Sequence, residues 1–130
     1  SLRILVVDDH AVFRNQVCAF LETQAGFEVV CEAGDGLEGI RHAGELQPDV
    51  IVLDVSMPTL GGIEAAVRMR KVAPKSRIVF LSQHNSEGVA KAALATGANA
   101  FVTKVAAATD LIPAIQAVVA GKNFISQVQP

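Results

Sequence analysis

Short apolar runs alternate with segments of helix-periodic hydrophobicity five times along this chain, and few folds other than a parallel sheet of repeated βα units accommodate that pattern. Arg3 to Val7, Phe27 to Ala33, Val50 to Leu53, Arg77 to Leu81 and Ala100 to Thr103 read as strands. Their near-continuous apolarity is what burial on both faces of a sheet demands. Between them Phe13, Val17, Phe20 and Leu21 recur at helical spacing, as do Leu111, Ile115, Val118 and Val119. Each set gives one apolar stripe for packing on the sheet. Gly26, Gly34-Asp35-Gly36, Pro48, Gly61-Gly62, Pro74, Gly97 and Gly121 punctuate the elements.

The chemistry sits where the runs end. Asp8 and Asp9 follow the first run, Asp54 the third, Ser82 the fourth and Lys104 the fifth. Strands of a parallel α/β sheet converge at one edge, and ligands bind there at the point of strand-order reversal. Three carboxylates gathered in one cleft repel unless a hard divalent cation and a basic group join them. Lys104 supplies the base, and the carboxylates supply an oxygen site of the kind Mg²⁺ prefers.

Asp8-Asp9, then Asp54-x-x-Met57-Pro58-x-x-x-Gly62, then Ser82, then Lys104, taken in this order, resemble a bacterial two-component receiver domain, over about Arg3 to Phe124. Asp8-Asp9-His10 with Phe13-Arg14, and the ending Ala114-Ile115-x-x-Val118-x-Ala120-Gly121, resemble the NarL/LuxR-type subfamily most. The resemblance implies a three-layer α/β/α sandwich, flavodoxin-like (βα)5, with parallel strand order 2-1-3-4-5. It further implies Asp54 as phosphoacceptor, Asp9 as a direct Mg²⁺ ligand, Asp8 acting mainly through metal-bound water, and the backbone carbonyl of Ser56 as the remaining protein ligand. Lys104 and Ser82 are then the phosphoryl contacts, with Ser82 and Phe101 as the switch pair. Three carboxylates and one ammonium leave two negative charges, which one Mg²⁺ cancels.

Taken singly, each of these residues has a plainer reading. Adjacent aspartates after a strand often serve as helix N-cap and turn, Ser82 as a helix-start hydroxyl, Lys104 as a solvated surface lysine, and Phe101 as a core aromatic. Coincidence at four strand ends favours the joint site. Gly34-Asp35-Gly36-Leu37-Glu38-Gly39 is a literal GxGxxG, yet it follows the second strand. The first strand, which carries the phosphate loop in dinucleotide folds, ends in Asp8-Asp9, so a glycine-rich turn is expected instead. His10, His42 and His84 lack mutual metal spacing and are not expected to be ligands.

Three side chains depart from the commoner pattern or flank the cleft. Gln83 replaces the small residue frequent after this serine, and with Ser56 and His84 is expected to govern access of water to phospho-Asp54. Val105 stands where many receivers have proline, so no cis peptide is expected after Lys104. In the last helix, Pro113 lacks an N–H for the Thr109 carbonyl, and Asp110 is a good N-cap. Regular helix is therefore expected from Thr109 or Asp110, with Val105 to Ala108 as an extended link.

Composition excludes several functions. The chain has 130 residues, 51 % of them apolar, enough for one core and one domain. Eleven Lys and Arg against thirteen Asp and Glu, without a basic run, leave no electrostatic footprint for nucleic acid. No apolar stretch is long enough to span a membrane, and no signal peptide leads the chain, so a cytoplasmic protein is expected. Cys18 and Cys31 have neither CxxC nor metal spacing and read as reduced thiols. Ser1 in place of an initiator Met suggests that the native chain is longer.

The expected function is a phosphoacceptor, not an enzyme, that takes a phosphoryl group from a sensor histidine kinase onto Asp54 with Mg²⁺ and switches a transcriptional output. Residues 1–124 are assigned to the receiver and 125–130 to the start of a linker or C-terminal tail. A helix-turn-helix output domain beyond Pro130 and a homodimer are expected partners. The alternative is a stand-alone receiver acting as phosphorelay intermediate or kinase sink. A phosphatase using Asp54 lacks the usual second aspartate, that position being Ser56, and a flavin module lacks any Trp or Tyr.

Overall fold

The computed structural model describes residues 1–130, with strands β1 (Leu2–Val7), β2 (Phe27–Ala33), β3 (Val50–Asp54), β4 (Arg77–Ser82), β5 (Ala100–Thr103) and β6 (Phe124–Ile125). Helices α1 (Ala11–Glu22), α2 (Gly36–Leu46), α3 (Gly62–Val72), α4 (Glu87–Leu94) and α5 (Ala107–Val119) alternate with them. The sheet is parallel throughout, in the order β2-β1-β3-β4-β5-β6. The flavodoxin-like order expected from the sequence is present, extended at one edge by the two-residue β6.

Side-chain alternation along each strand separates two cores. Leu5, Val7, Ile51, Leu53, Ile78, Phe80 and Phe101 face α2, α3 and α4 in a cluster of 18 buried residues. Ile4, Val6, Val50, Val52, Val79, Leu81 and Val102 face α1 and α5 in a second cluster of 15. Of the expected stripes, Val17, Leu21, Leu111, Ile115 and Val118 lie in the second core and Phe13 packs against it, whereas Phe20 is half-buried outside it and Val119 is 46 % exposed. No helix is long and apolar enough to cross a membrane.

Strand register levels the site. Val7 pairs with Leu53, so Asp8 follows β1 beside Asp54 at the tip of β3. Asp54 pairs with Leu81 and Ser82 with Thr103, so Ser82 and Lys104 each stand one step further along neighbouring strands. The chain leaves β1 for β2 on one side and enters β3 on the other, which makes the β1/β3 boundary the topological switch point.

The start of α5 differs from the sequence expectation. A 3₁₀ turn, Lys104–Ala106, runs directly into a helix that begins at Ala107 and continues through Pro113 without interruption. Two features explain this. Asp110 does not cap the helix, because its carboxylate accepts the Ser126 hydroxyl at 2.6 Å. Pro113 and Thr109 both lie on the solvent-exposed face, where water can take the place of the missing N–H at the Thr109 carbonyl. Val105 is therefore in the 3₁₀ turn, 93 % exposed, and not part of an extended link. All peptide bonds are trans, as expected after Lys104.

Candidate phosphoacceptor site

Asp54 is the least exposed carboxylate of the cleft, its side chain 2 % accessible. Burial, then the charge of Asp8, push its carboxyl up to about 6, against the opposing pull of Lys104. One of its oxygens, Oδ2, is buried without a hydrogen-bond partner, and so is Asp9 Oδ1. Ligand atoms of Asp8, Asp9, His10 and Asp54 all lie within 4.8 Å of one another. Buried acceptors without donors, in a cluster of like charge, are the donor set that a hard divalent cation needs. The residues present thus fit a Mg²⁺-type ion.

The one neutralising side chain is shared unequally. Lys104 Nζ lies 2.9 Å from Asp8 Oδ2 and 3.5 Å from Asp54 Oδ2. The ammonium also stands 4.5 Å from the centre of the Phe13 ring, on the first turn of α1. A cation over a ring face is held without using up its hydrogen-bond donors. Lys104 is therefore fixed in direction while its hydrogens stay directed at the acidic cleft.

Gly62 is dictated by the backbone of Asp54. Its N–H donates to the Val55 carbonyl at 2.8 Å, and a Cβ at this position would collide with the Asp54 carbonyl oxygen. Only glycine lets α3 start this close to the end of β3. The Ser56 N–H reaches Asp54 Oδ1 at 3.3 Å, which leaves the Asp54-Val55-Ser56 turn closed on itself.

Ser82 and Phe101 are both completely buried, Phe101 within the α2/α3/α4 core. The Ser82 hydroxyl accepts the backbone N–H of His84 at 2.9 Å. His84 Nε2 lies 2.9 Å from the Ser56 hydroxyl, joining the β3–α3 and β4–α4 loops across the cleft. Of the three expected access residues, Ser56 and His84 are thus brought into contact, whereas Gln83 is exposed to solvent.

Two contacts were missed by reading the sequence. Arg14 donates to the Asp8 carbonyl at 2.7 Å through one guanidinium nitrogen and to Glu32 at 3.0 Å through another. It ties the Asp8-Asp9 turn to β2. Glu32, one of two glutamates in the strand run Phe27 to Ala33, was the available signal. The second is His10, which histidine spacing alone removed from consideration. Its Nδ1 lies 3.3 Å from Asp8 Oδ1 and 3.4 Å from Asp9 Oδ1, so spacing between histidines was the wrong criterion for a site whose other members are carboxylates.

The glycine-rich turn behaves as expected. Asp35 caps α2 by accepting the Glu38 N–H at 2.8 Å, and a Cβ on Gly39 would meet Val7 and Met69 within 3.0 Å. Gly39 lets α2 pack closely on β1 and α3, and Gly36 lies against Leu60 of the β3–α3 loop. Cys18 and Cys31 are free, and burial pushes the Cys18 thiol up to about 12, with Glu32 adding to the effect.

A parallel sheet whose switch point carries three carboxylates, a buried hydroxyl and a lysine is the arrangement of a signalling receiver. The chain belongs to the response regulator receiver domain family, whose sequence profile matches residues 4–116. It is 35 % identical over 125 residues to the response regulator GacA of Pseudomonas viridiflava, covering 96 % of this chain and 58 % of that protein. It is 36 % identical over 121 residues to the transcriptional regulatory protein LiaR of Bacillus subtilis, covering 93 % and 57 %. A LuxR-family two-component response regulator from Aurantimonas sp. superposes with a TM-score of 0.92 at 36 % identity, over 97 % of this chain and 91 % of that one. The chain thus spans somewhat over half the length of the curated relatives it matches.

Proposed function

We propose that this domain accepts a phosphoryl group from the phosphohistidine of a sensor kinase onto Asp54, with Mg²⁺, and passes the resulting conformational change to a transcriptional output. The buried Asp54 oxygen that lacks a donor, beside Lys104 and the Asp8/Asp9 pair, is the observation that carries this reading.

Phosphoryl transfer to a carboxylate needs charge neutralisation and in-line positioning more than covalent help. An Asp54 oxygen forms the new P–O bond as the N–P bond of the phosphohistidine breaks. The bonding pair leaves with the imidazole nitrogen, which takes up a proton from solvent. Asp9, Asp54 and the Ser56 carbonyl would hold the Mg²⁺, and Asp8 would act through its water. The ion supplies charge neutralisation between nucleophile and phosphoryl oxygens when bound. Lys104 then exchanges its pairing with Asp8 for a phosphoryl oxygen, and Ser82 donates its hydroxyl to another. In the structure Ser82 accepts the His84 N–H, which leaves its own hydroxyl hydrogen to donate, and a turn of this hydroxyl toward the phosphoryl group, with Phe101 following, is the proposed switch. The protein is consumed one phosphoryl group per molecule, a phosphoacceptor assisting its own transfer and slow dephosphorylation and not a turnover enzyme.

Val12 and Val105 are exposed by 73 % and 93 % and flank the acidic cleft, on the first turn of α1 and beside Lys104. Exposed aliphatic side chains at the mouth of a charged cleft suit a protein partner, here the kinase domain that carries the phosphohistidine. In this reading residues 1–124 form the receiver, residues 125–130, still bonded to it through Ser126 and Gln129, lead into a linker, and a helix-turn-helix domain, with a homodimer of the whole, delivers the output in the cytoplasm.

Incubation with acetyl phosphate and Mg²⁺, followed by intact-mass and peptide mass spectrometry, tests the acceptor. One phosphoryl adduct on the Asp54 peptide is expected, lost in Asp54→Asn and without Mg²⁺. An adduct that persists at the wild-type level in Asp54→Asn overturns the assignment.

A further inference from the structure

We propose that His10 is an additional metal ligand in this cleft, through Nδ1, and that it tilts the site toward Mn²⁺ over Mg²⁺. The inference rests on the reading of the cleft as a divalent-cation site.

His10 occupies the position between β1 and α1, where its own N–H donates to Asp8 Oδ1 at 2.8 Å. That bond fixes the root of the side chain beside the carboxylates. Nδ1 then lies 3.3 Å from Asp8 Oδ1 and 3.4 Å from Asp9 Oδ1, and forms a hydrogen bond with neither. Adjacent ligands of an octahedral ion with bonds of about 2.1 Å are separated by about 3 Å, the bond length multiplied by √2. Nδ1 and Asp9 Oδ1, at 3.4 Å, therefore already stand near the spacing of neighbouring ligands, and no hydrogen bond joins them.

The surroundings point the same way. Asp9 Oδ1, the nearer oxygen of that residue, is buried and has no hydrogen-bond partner. Asp54, 2 % exposed and with an unpartnered oxygen of its own, closes the cluster from the opposite strand. The His10 side chain is 56 % exposed and is not held by any further side chain, so its lone pair is free to turn into the site. The two remaining histidines are engaged elsewhere, His42 with Glu38 and His84 with Ser56.

A nitrogen ligand has a predictable effect. Mg²⁺ is hard, prefers oxygen and keeps its waters, whereas Mn²⁺ and the later divalent ions accept imidazole readily. Exchanging one water for His10 should strengthen Mn²⁺ binding with little effect on Mg²⁺. Manganese would then serve this receiver at lower free concentration than magnesium.

Electron spin echo envelope modulation on the Mn²⁺-loaded protein, with calorimetric titrations of Mn²⁺ and Mg²⁺, tests the proposal. The wild type is expected to show ¹⁴N coupling from a directly bound imidazole. His10→Ala and His10→Gln, with unchanged circular dichroism, should lose the coupling and bind Mn²⁺ about tenfold more weakly, with Mg²⁺ affinity nearly unchanged. His84→Ala should keep the coupling. Mn²⁺ bound without ¹⁴N coupling, or an unaltered Mn²⁺ to Mg²⁺ affinity ratio in both His10 variants, overturns the role of His10 and leaves the divalent-cation reading intact. Failure of either ion to bind, or binding unaffected by Asp9→Asn with Asp54→Asn, overturns that reading and His10 with it.

Discussion

The Ser56 hydroxyl and the His84 imidazole meet at 2.9 Å and join the loops after β3 and β4, next to the turn whose Ser56 N–H reaches Asp54 Oδ1. The same β4–α4 loop donates the His84 N–H to Ser82, so one residue holds both the junction of the two loops and the proposed switch hydroxyl. A net hydrogen bond of this kind contributes about 0.5–1.5 kcal/mol, or roughly 2- to 10-fold in an equilibrium.

Removing the imidazole should therefore shorten the life of the phosphorylated form. His84→Ala and Ser56→Ala are each expected to speed phosphate release by about 2- to 10-fold, and the double variant no further than the larger single effect. Phosphate-release half-lives after a chase with excess EDTA give the comparison. Additive effects of the two substitutions would show that the side chains act separately.

Asp54 makes folding depend on pH in the direction opposite to a salt-bridged carboxylate. Its carboxyl is pushed up to about 6 by burial and by Asp8, above the ordinary value of about 3.9 in an unfolded chain. Between those values the folded state binds the extra proton, so stability falls as pH rises from about 4 to about 6 and is level above that. In metal-free buffer Asp54→Asn should accordingly gain on the order of 1–3 kcal/mol at pH 7.5. The gain should shrink as pH falls toward 4. Urea titrations of both proteins across this range are the measurement, and equal stability at pH 7.5 would contradict it.

Two glycines should respond in opposite ways. Gly62→Ala drives a methyl group into the Asp54 carbonyl and is expected to cost roughly 3 kcal/mol or more, with loss of acceptor activity in whatever folds. Gly88 lies inside α4, where an added methyl group would meet no atom within 4 Å, and should accept alanine with a gain of about 0.5–1 kcal/mol. Denaturation midpoints distinguish them, and a neutral Gly62→Ala would mean that β3 and α3 can separate at no cost.

The C-terminal segment is tied to both halves of the proposed switch. Ser126, 3 % exposed, donates its backbone N–H to the Phe101 carbonyl at 2.8 Å, and its hydroxyl donates to Asp110 and accepts from the Thr103 N–H at 3.3 Å. Further on, the Gln129 N–H donates to the Asn85 carbonyl at 2.6 Å and its carbonyl accepts the Glu87 N–H at 2.7 Å. Ser126→Ala should cost about 1–3 kcal/mol by leaving buried groups unpaired. Phosphorylation of Asp54 should lower hydrogen-exchange protection at Gln129, because the loop that accepts its N–H is the loop that must move. Unchanged exchange there would detach the tail from the switch.

Cys18 and Cys31 should differ in reactivity. The Cys18 thiol, pushed up to about 12 by burial, should resist a maleimide at pH 8 in the native state, and Cys31, only half-buried, should react first. Peptide mapping after brief labelling reads the order; equal rates would indicate frequent opening of the α1/β2 contact.

The strand runs, their punctuation and the residues at their ends were legible in the sequence because each depends on local order. A parallel strand buried on both faces must be apolar throughout, so the first polar residue after it marks the sheet edge: Asp8, Asp54, Ser82 and Lys104 announce themselves in this way. Pairings between residues far apart in the chain were decided by tertiary structure. Asp110 looks like a helix cap until Ser126, sixteen residues later, takes its carboxylate, and Pro113 looks like a helix breaker until its face proves to be the wet one. His10 looks unconnected to the acidic cluster until the turn after β1 folds its ring against Asp8 and Asp9. Residue type and order thus determined which chemistry this domain could hold, because hydrophobic burial fixes the strands and the strands fix their ends. Which oxygen lacks a donor, which carboxylate Lys104 prefers and what the tail grips depended on distances that exist only once the chain has closed on itself.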